Sequence, residues 1–164
     1  MLTGCKQPLA RFSKDLILIN LHSFFIFSLI FKSKTNAMPH ITLEVSDNLS
    51  FADDRLPVFF GKLHEMLVSR LGVNLLNCKS RLIRHKSFYI ADGKSIHAFA
   101  HLEIKILEGR SEAEIGEVGN ATMELLISAF EQSRRGFTFQ PSVEVVSIGR
   151  SSYFKLSAEE IADN

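Results

Sequence analysis

An excess of charge of either sign is missing from this sequence. Nineteen Lys and Arg stand against 18 Asp and Glu over 164 residues, a net of +1. Binding a polyanion calls for a basic surplus, so the balance argues against a nucleic-acid partner. Cysteine is scarce too. Cys5 and Cys78 are the only two, which implies no disulfide framework and suits a reducing, cytoplasmic compartment. The sequence holds no phosphate-binding glycine loop, no metal-ligand motif and no nucleophile elbow. His97 and His101 share a strand face, but strand rise separates them by about 13 Å, too far to ligate one metal. No metal site is therefore indicated. The sequons at Asn48 and Asn120 carry little weight, because the pattern is short and Asn120 is predicted inside a helix.

What is present divides at Met38-Pro39. Residues 1–37 carry five basic side chains (Lys6, Arg11, Lys14, Lys32, Lys34) against the single acid Asp15, leaving 14 basic and 17 acidic residues in 38–164. Within the first part, Leu16 to Phe31 is a 16-residue run that is almost wholly apolar. A spanning helix needs about 20 such residues. The segment reads as an N-terminal extension outside the mature fold, encoded upstream of the true start. The alternatives are a signal or anchor, the one route to a membrane partner, and a native part of the fold. The remainder, 38–164, is long enough for one domain with a real core. The composition of all 164 residues, 46% apolar and 23% charged, is ordinary for a soluble globular protein.

From Pro39 to Val45 the residues alternate, with Ile41, Leu43 and Val45 on one face and His40, Thr42 and Glu44 on the other, the pattern of a half-buried strand. A helix is predicted from about Asp54, with Pro57 in its first turn, an apolar stripe through Phe59, Phe60, Leu63, Met66, Leu67 and Leu71, and Gly72 as the stop. Short extended pieces follow at Ser80 to Ile83 and Phe88 to Ile90, then a tight turn at Asp92-Gly93. A long strand runs from His97 to Leu107. Ser111 and Glu114 form a capping box. Its helix carries Ile115, Val118, Thr122, Leu125, Leu126 and Ala129 on one face, with Arg134 and Arg135 in the last turn and Gly136 ending it. A final strand is predicted from Ser142 to Ile148. The sum is an α+β fold. Two βαβ units form a mixed four-stranded sheet, with two long helices on one face.

Pro39 matters because of its nitrogen. Inside a chain it is an amide with no proton and no basic lone pair. At a chain end it is a secondary amine held on a rigid ring. If translation starts at Met38 and the methionine is removed, Pro39 gains a base that ordinary proline lacks.

The ordered set Met38-Pro39-His40, Glu44-Val45-Ser46-Asp47-Asn48, Ser80-Arg81, Ala91-Asp92-Gly93 and Gly109-Arg110-Ser111, spanning about Met38 to Leu156, resembles the 5-carboxymethyl-2-hydroxymuconate isomerase family of the tautomerase superfamily. The resemblance implies a tautomerase-like homotrimer with the active site near a subunit boundary. It implies a cofactor-free isomerase of homoprotocatechuate (aromatic compound) catabolism, acting on a dicarboxylate or tricarboxylate enol. By position, Pro39 is then the catalytic base and Arg110 a substrate-carboxylate ligand. The second cation is either Arg81 or Lys79. A lysine there keeps the charge but loses the bidentate fork of arginine. His40, beside the base, is a candidate pocket residue. Two other readings fit the same chain: a non-catalytic or membrane-anchored binding protein of this fold, and a tautomerase with a different enol substrate.

The chemistry is consistent with those residues. An enol–keto transfer needs one group that takes and returns a proton near neutral pH. An ordinary α-amine has a pKa of roughly 7.7–8.0. Apolar burial and nearby cations lower that of a secondary amine, since both disfavour its protonated form. The same cations bind a polyanion and stabilise charge developing on an oxygen.

Overall fold

The computed structural model describes residues 38–156 except residue 52. The expected apolar extension at 1–37 lies outside the described residues, and those described fall in one compact unit. The elements in order are β1 (His40–Ser46), α1 (Leu56–Leu71), β2 (Lys79–His85), β3 (His97–Leu107), α2 (Glu112–Ala129) and β4 (Thr138–Ile148). Short 3-10 turns occupy Asp53–Arg55, Leu75–Asn77 and Arg150–Ser152.

The sheet order is β2-β1-β3-β4. β1 runs parallel to β2 and antiparallel to β3, while β3 runs parallel to β4. This is the mixed sheet of two βαβ units expected from the sequence. Its core follows from the alternation in the two central strands. Ile41, Leu43 and Val45 of β1 and Ala98, Ala100, Leu102, Ile104 and Ile106 of β3 are buried with Phe59, Leu63, Leu67 and Leu71 of α1 and Val118 and Leu126 of α2. Each large aliphatic side chain fully buried this way contributes about 1.5–3 kcal/mol relative to exposure. The opposite strand positions, including His40, Glu44, Phe99, His101 and Glu103, form a second face that these helices do not cover.

The helix ends follow local chemistry. Pro57 sits in the first turn of α1, where a missing N–H costs nothing. Gly72 takes φ 63°, and its N–H caps Val68 O, a left-handed turn that suits glycine. At α2 both halves of the capping box form: Ser111 Oγ accepts from Glu114 N, and Glu114 Oε2 accepts from Ser111 N.

Four boundaries differ from the sequence expectation. β2 extends over Lys79–His85, because each of its residues pairs with β1 as far as Ser46–His85. There β1 ends, so Phe88 to Ile90 has no neighbouring strand and is not one. Phe88 instead packs edge-on against Phe99, ring centroids 6.5 Å apart. α2 stops at Ala129, so Arg134 and Arg135 lie in the following turn rather than in the helix. The buried Phe130 ring ends the helix in an aromatic cluster, 4.7 Å from Phe51 and 5.7 Å from Phe139. Finally, β4 starts at Thr138 and runs through Pro141. A proline is tolerated there because β4 is an edge strand.

Candidate active site

The strand directions bring four strand ends together. His40 at the start of β1 pairs with Lys79 at the start of β2 and with Lys105 near the end of β3. The end of β3 pairs with the end of β4, Leu107 with Ile148. Pro39 lies one residue before this row and is buried. Its carbonyl accepts the Lys79 main-chain N–H at 3.0 Å.

The row Lys79–His40–Lys105 lies on the helix-free face of the sheet. The next row on that face is Arg81–Thr42–Glu103. Glu103 pairs with Lys105 at 2.7 Å. Lys79 and Arg81 are exposed, and Thr42 between the strands is buried. His40 reports the electrostatics of this corner: burial holds its pKa below the ordinary histidine value, and Lys79, Arg81 and Lys105 lower it further. A cluster that disfavours an imidazolium disfavours an ammonium beside it by the same mechanism.

Arg110 approaches by another route. It follows Gly109, whose φ of 107° turns the chain out of β3, and it immediately precedes Ser111, the N-cap of α2. The topology therefore sets Arg110 at the same end of the sheet as Pro39. Gly109 provides a backbone conformation that side-chain-bearing residues rarely adopt.

Two residues that sequence reading did not single out as site residues also stand here. Lys105 falls on the half-exposed side of the β3 alternation. No local pattern marks Tyr153. Its hydroxyl lies 2.8 Å from His40 Nε2 and donates to Met38 Sδ at 3.7 Å. The segment bearing it is held where it leaves β4. There Arg150 N–H donates to Glu108 Oε1 at 3.0 Å and the Arg150 guanidinium donates to Glu108 O at 3.4 Å. Beyond Tyr153, Lys155 Nζ donates to Asn77 Oδ1 at 3.2 Å, just ahead of β2.

The other histidines among the described residues have structural partners. His97 contacts Asp92 at 2.8 Å, and His101 lies 2.8 Å from Ser142 Oγ. Asn48, the first sequon residue, donates to the carbonyls of Ser95 and His97. No group of three metal-ligating side chains occurs among the described residues. No helix among them is long and apolar enough to cross a membrane. A cleft on the helix layer is lined by Arg55, Val58, Phe59, Lys62, Leu125 and Ser128, and by none of the sequence-predicted site residues.

The family model for 5-carboxymethyl-2-hydroxymuconate isomerase matches residues 39–160. The 5-carboxymethyl-2-hydroxymuconate Delta-isomerase of Escherichia coli is 29% identical over 118 residues, covering 72% of this chain and 93% of the relative. A crystal structure of a 5-carboxymethyl-2-hydroxymuconate isomerase from Deinococcus radiodurans R1 matches with a TM-score of 0.68 and 27% identity, covering 80% of this chain and 98% of the other. A structure described as a fused 4-OT wild-type symmetric trimer shares the fold at a TM-score of 0.58 and 13% identity, covering 74% of this chain and 98% of the other.

Proposed function

We propose, on the premise that this chain belongs to the 5-carboxymethyl-2-hydroxymuconate isomerase family and is an isomerase, that it converts 5-carboxymethyl-2-hydroxymuconate to its 2-oxo isomer. Pro39 is the base, with its nitrogen freed by a start at Met38 and removal of that methionine. Residues 1–37 are then no part of the mature protein.

The reaction moves one proton. The Pro39 nitrogen takes the proton of the substrate 2-hydroxyl. The electron pair left behind forms the C2=O bond, the C2=C3 bond shifts to C3=C4, and the former C4=C5 pair takes a proton from the proline ammonium at C5. The ring nitrogen returns to its starting state, so no cofactor is consumed. Arg110 holds one substrate carboxylate, and Lys79 or Arg81 a second. His40 shapes the pocket beside the base.

The observation that carries this reading is the placement of Pro39. It is buried at a sheet end, pinned through its carbonyl to Lys79, beside a histidine whose pKa is lowered by burial, Lys79, Arg81 and Lys105. Those are the conditions that keep an amine unprotonated and draw in a polyanion. A homotrimer fits the helix-free sheet face, which leaves Ile83 and Phe88 exposed. The cytoplasm fits a sequence with only two cysteines, Cys5 and Cys78.

The test compares chains expressed from Met1 and from Met38, assayed by loss of dienol absorbance in the ultraviolet. Mass spectrometry identifies the terminal residue of each. Turnover is expected only where Pro39 is terminal. Equal turnover by a chain that keeps Met1 would sink the proposal. Turnover of other enols but not this one would redirect the substrate assignment alone.

A further inference from the structure

The C-terminal segment after β4 crosses the sheet end that carries Pro39. It leaves β4 at Ile148, is tied to Glu108 at the end of β3 through Arg150, meets His40 of β1 through Tyr153, and reaches Asn77 ahead of β2 through Lys155. It thus touches the ends of all four strands in spatial order. The Tyr153 hydroxyl contacts both sequence neighbours of Pro39, His40 at 2.8 Å and Met38 at 3.7 Å.

These two contacts differ in strength. The first is a good hydrogen bond. The second reaches a thioether, a weak acceptor, on the residue that must be removed for Pro39 to act. We infer that Tyr153 is a substrate-contacting residue: with Met38 gone, its hydroxyl donates to the substrate 2-oxygen at Pro39, oriented by His40. This inference rests on Pro39 being the base.

The geometry suits the step. The 2-oxygen must come to the Pro39 nitrogen to lose its proton, and negative charge develops on that oxygen as it does so. A hydroxyl fixed before the substrate arrives stabilises that charge without reorganising. His40 supplies the fixing. Burial first, and then the lysines and arginine around it, favour its neutral form, and a neutral imidazole donating from Nε2 occupies the tyrosine oxygen and leaves the O–H for the substrate. Tyr153 keeps its own proton throughout, so proton transfer between the hydroxyl, Pro39 and C5 is unchanged.

The experiment uses Tyr153→Phe in the chain processed to Pro39, with 5-carboxymethyl-2-hydroxymuconate as substrate and kcat corrected for folded fraction by circular dichroism. Losing one hydrogen bond to a charged oxygen is expected to lower kcat roughly 10- to 100-fold. KM is expected to stay within about twofold, since the charge exists mainly in the transition state. His40→Phe is expected to show a smaller loss in kcat. The double variant should fall no further than Tyr153→Phe alone, because His40 acts through the hydroxyl. An unchanged kcat for Tyr153→Phe, a loss confined to KM, a loss matched by the unfolded fraction, or fully additive losses would each overturn the inference. Pro39→Ala separates the two levels. Full activity in that variant removes the base itself. An inactive Pro39→Ala beside a fully active Tyr153→Phe removes only the role of the tyrosine.

Discussion

The main-chain amide of Lys79 donates to the carbonyl of Pro39 at 3.0 Å, so the start of β2 clamps the residue just ahead of β1. The bond uses backbone atoms alone. Changing the Pro39 side chain therefore leaves the clamp in place, and chemistry at the nitrogen can be separated from folding.

Pro39→Ala in the chain that begins at residue 39 is accordingly expected to stay folded, with a stability change of about 1 kcal/mol or less from altered backbone freedom. Its kcat is expected to fall about 100-fold or more, the usual scale for a positioned acid–base group. Urea unfolding and the ultraviolet assay, run on one preparation, check both halves.

The cations are expected to act on binding. Arg110→Ala should raise KM about tenfold, the scale of one hydrogen bond to a charged group, with a smaller change in kcat. Lys79→Arg is the informative counterpart. If Lys79 holds a carboxylate, a planar fork should lower KM, since arginine binds carboxylates bidentately. An unchanged KM for Lys79→Arg together with a raised one for Arg81→Ala would assign the second cation to Arg81.

Phe130 ends α2 and is fully buried between Phe51 and Phe139. Phe130→Ala is expected to cost about 3–5 kcal/mol through lost burial and the cavity left behind. The readout is the midpoint of denaturant unfolding at an unchanged m-value.

Acid is expected to destabilise the fold through two histidines. His40 and His64 both have pKa values lowered from 6.5: His40 first by burial and then by Lys79, Arg81 and Lys105, His64 by burial. The unfolded chain therefore binds more protons than the folded one, and stability rises with pH. Each contribution is fully present above about pH 6.5, the unfolded value, and is lost as pH falls through the lower folded value. His64, which lies 2.7 Å from Ser80 Oγ, stands away from the proposed chemistry. His64→Gln should flatten the pH dependence of the urea midpoint below pH 7 while leaving activity intact.

The sequence was most legible where one face of an element is buried. β1 and β3 alternate cleanly because both are central and packed against helices on one side. The capping box at Ser111 and the stop at Gly72 were legible because their signals are local. β2 was harder. It is an edge strand whose outer face carries Lys79 and Arg81, so its ends are set by pairing with β1. The start of β4 was hidden by Pro141, and the end of α2 by Phe130, whose partners Phe51 and Phe139 come from distant segments. At the candidate site, Pro39 stood out through the chemistry of its nitrogen, while Arg110, Arg81 and Lys79 drew notice through resemblance to a family. Tyr153 was invisible because it meets His40 across 113 positions of sequence, a separation no local pattern encodes.

Pro141 has a consequence beyond its own strand. β4 borders the sheet with an outer rim that no strand among the described residues covers, and one rung of that rim lacks a donor. A foreign strand seeking to template on it would meet a gap midway along and could not zip a continuous ladder. The residue that obscured this strand in the sequence thus also guards the protein against runaway edge-to-edge growth. Pro141→Val is the substitution that would remove the guard.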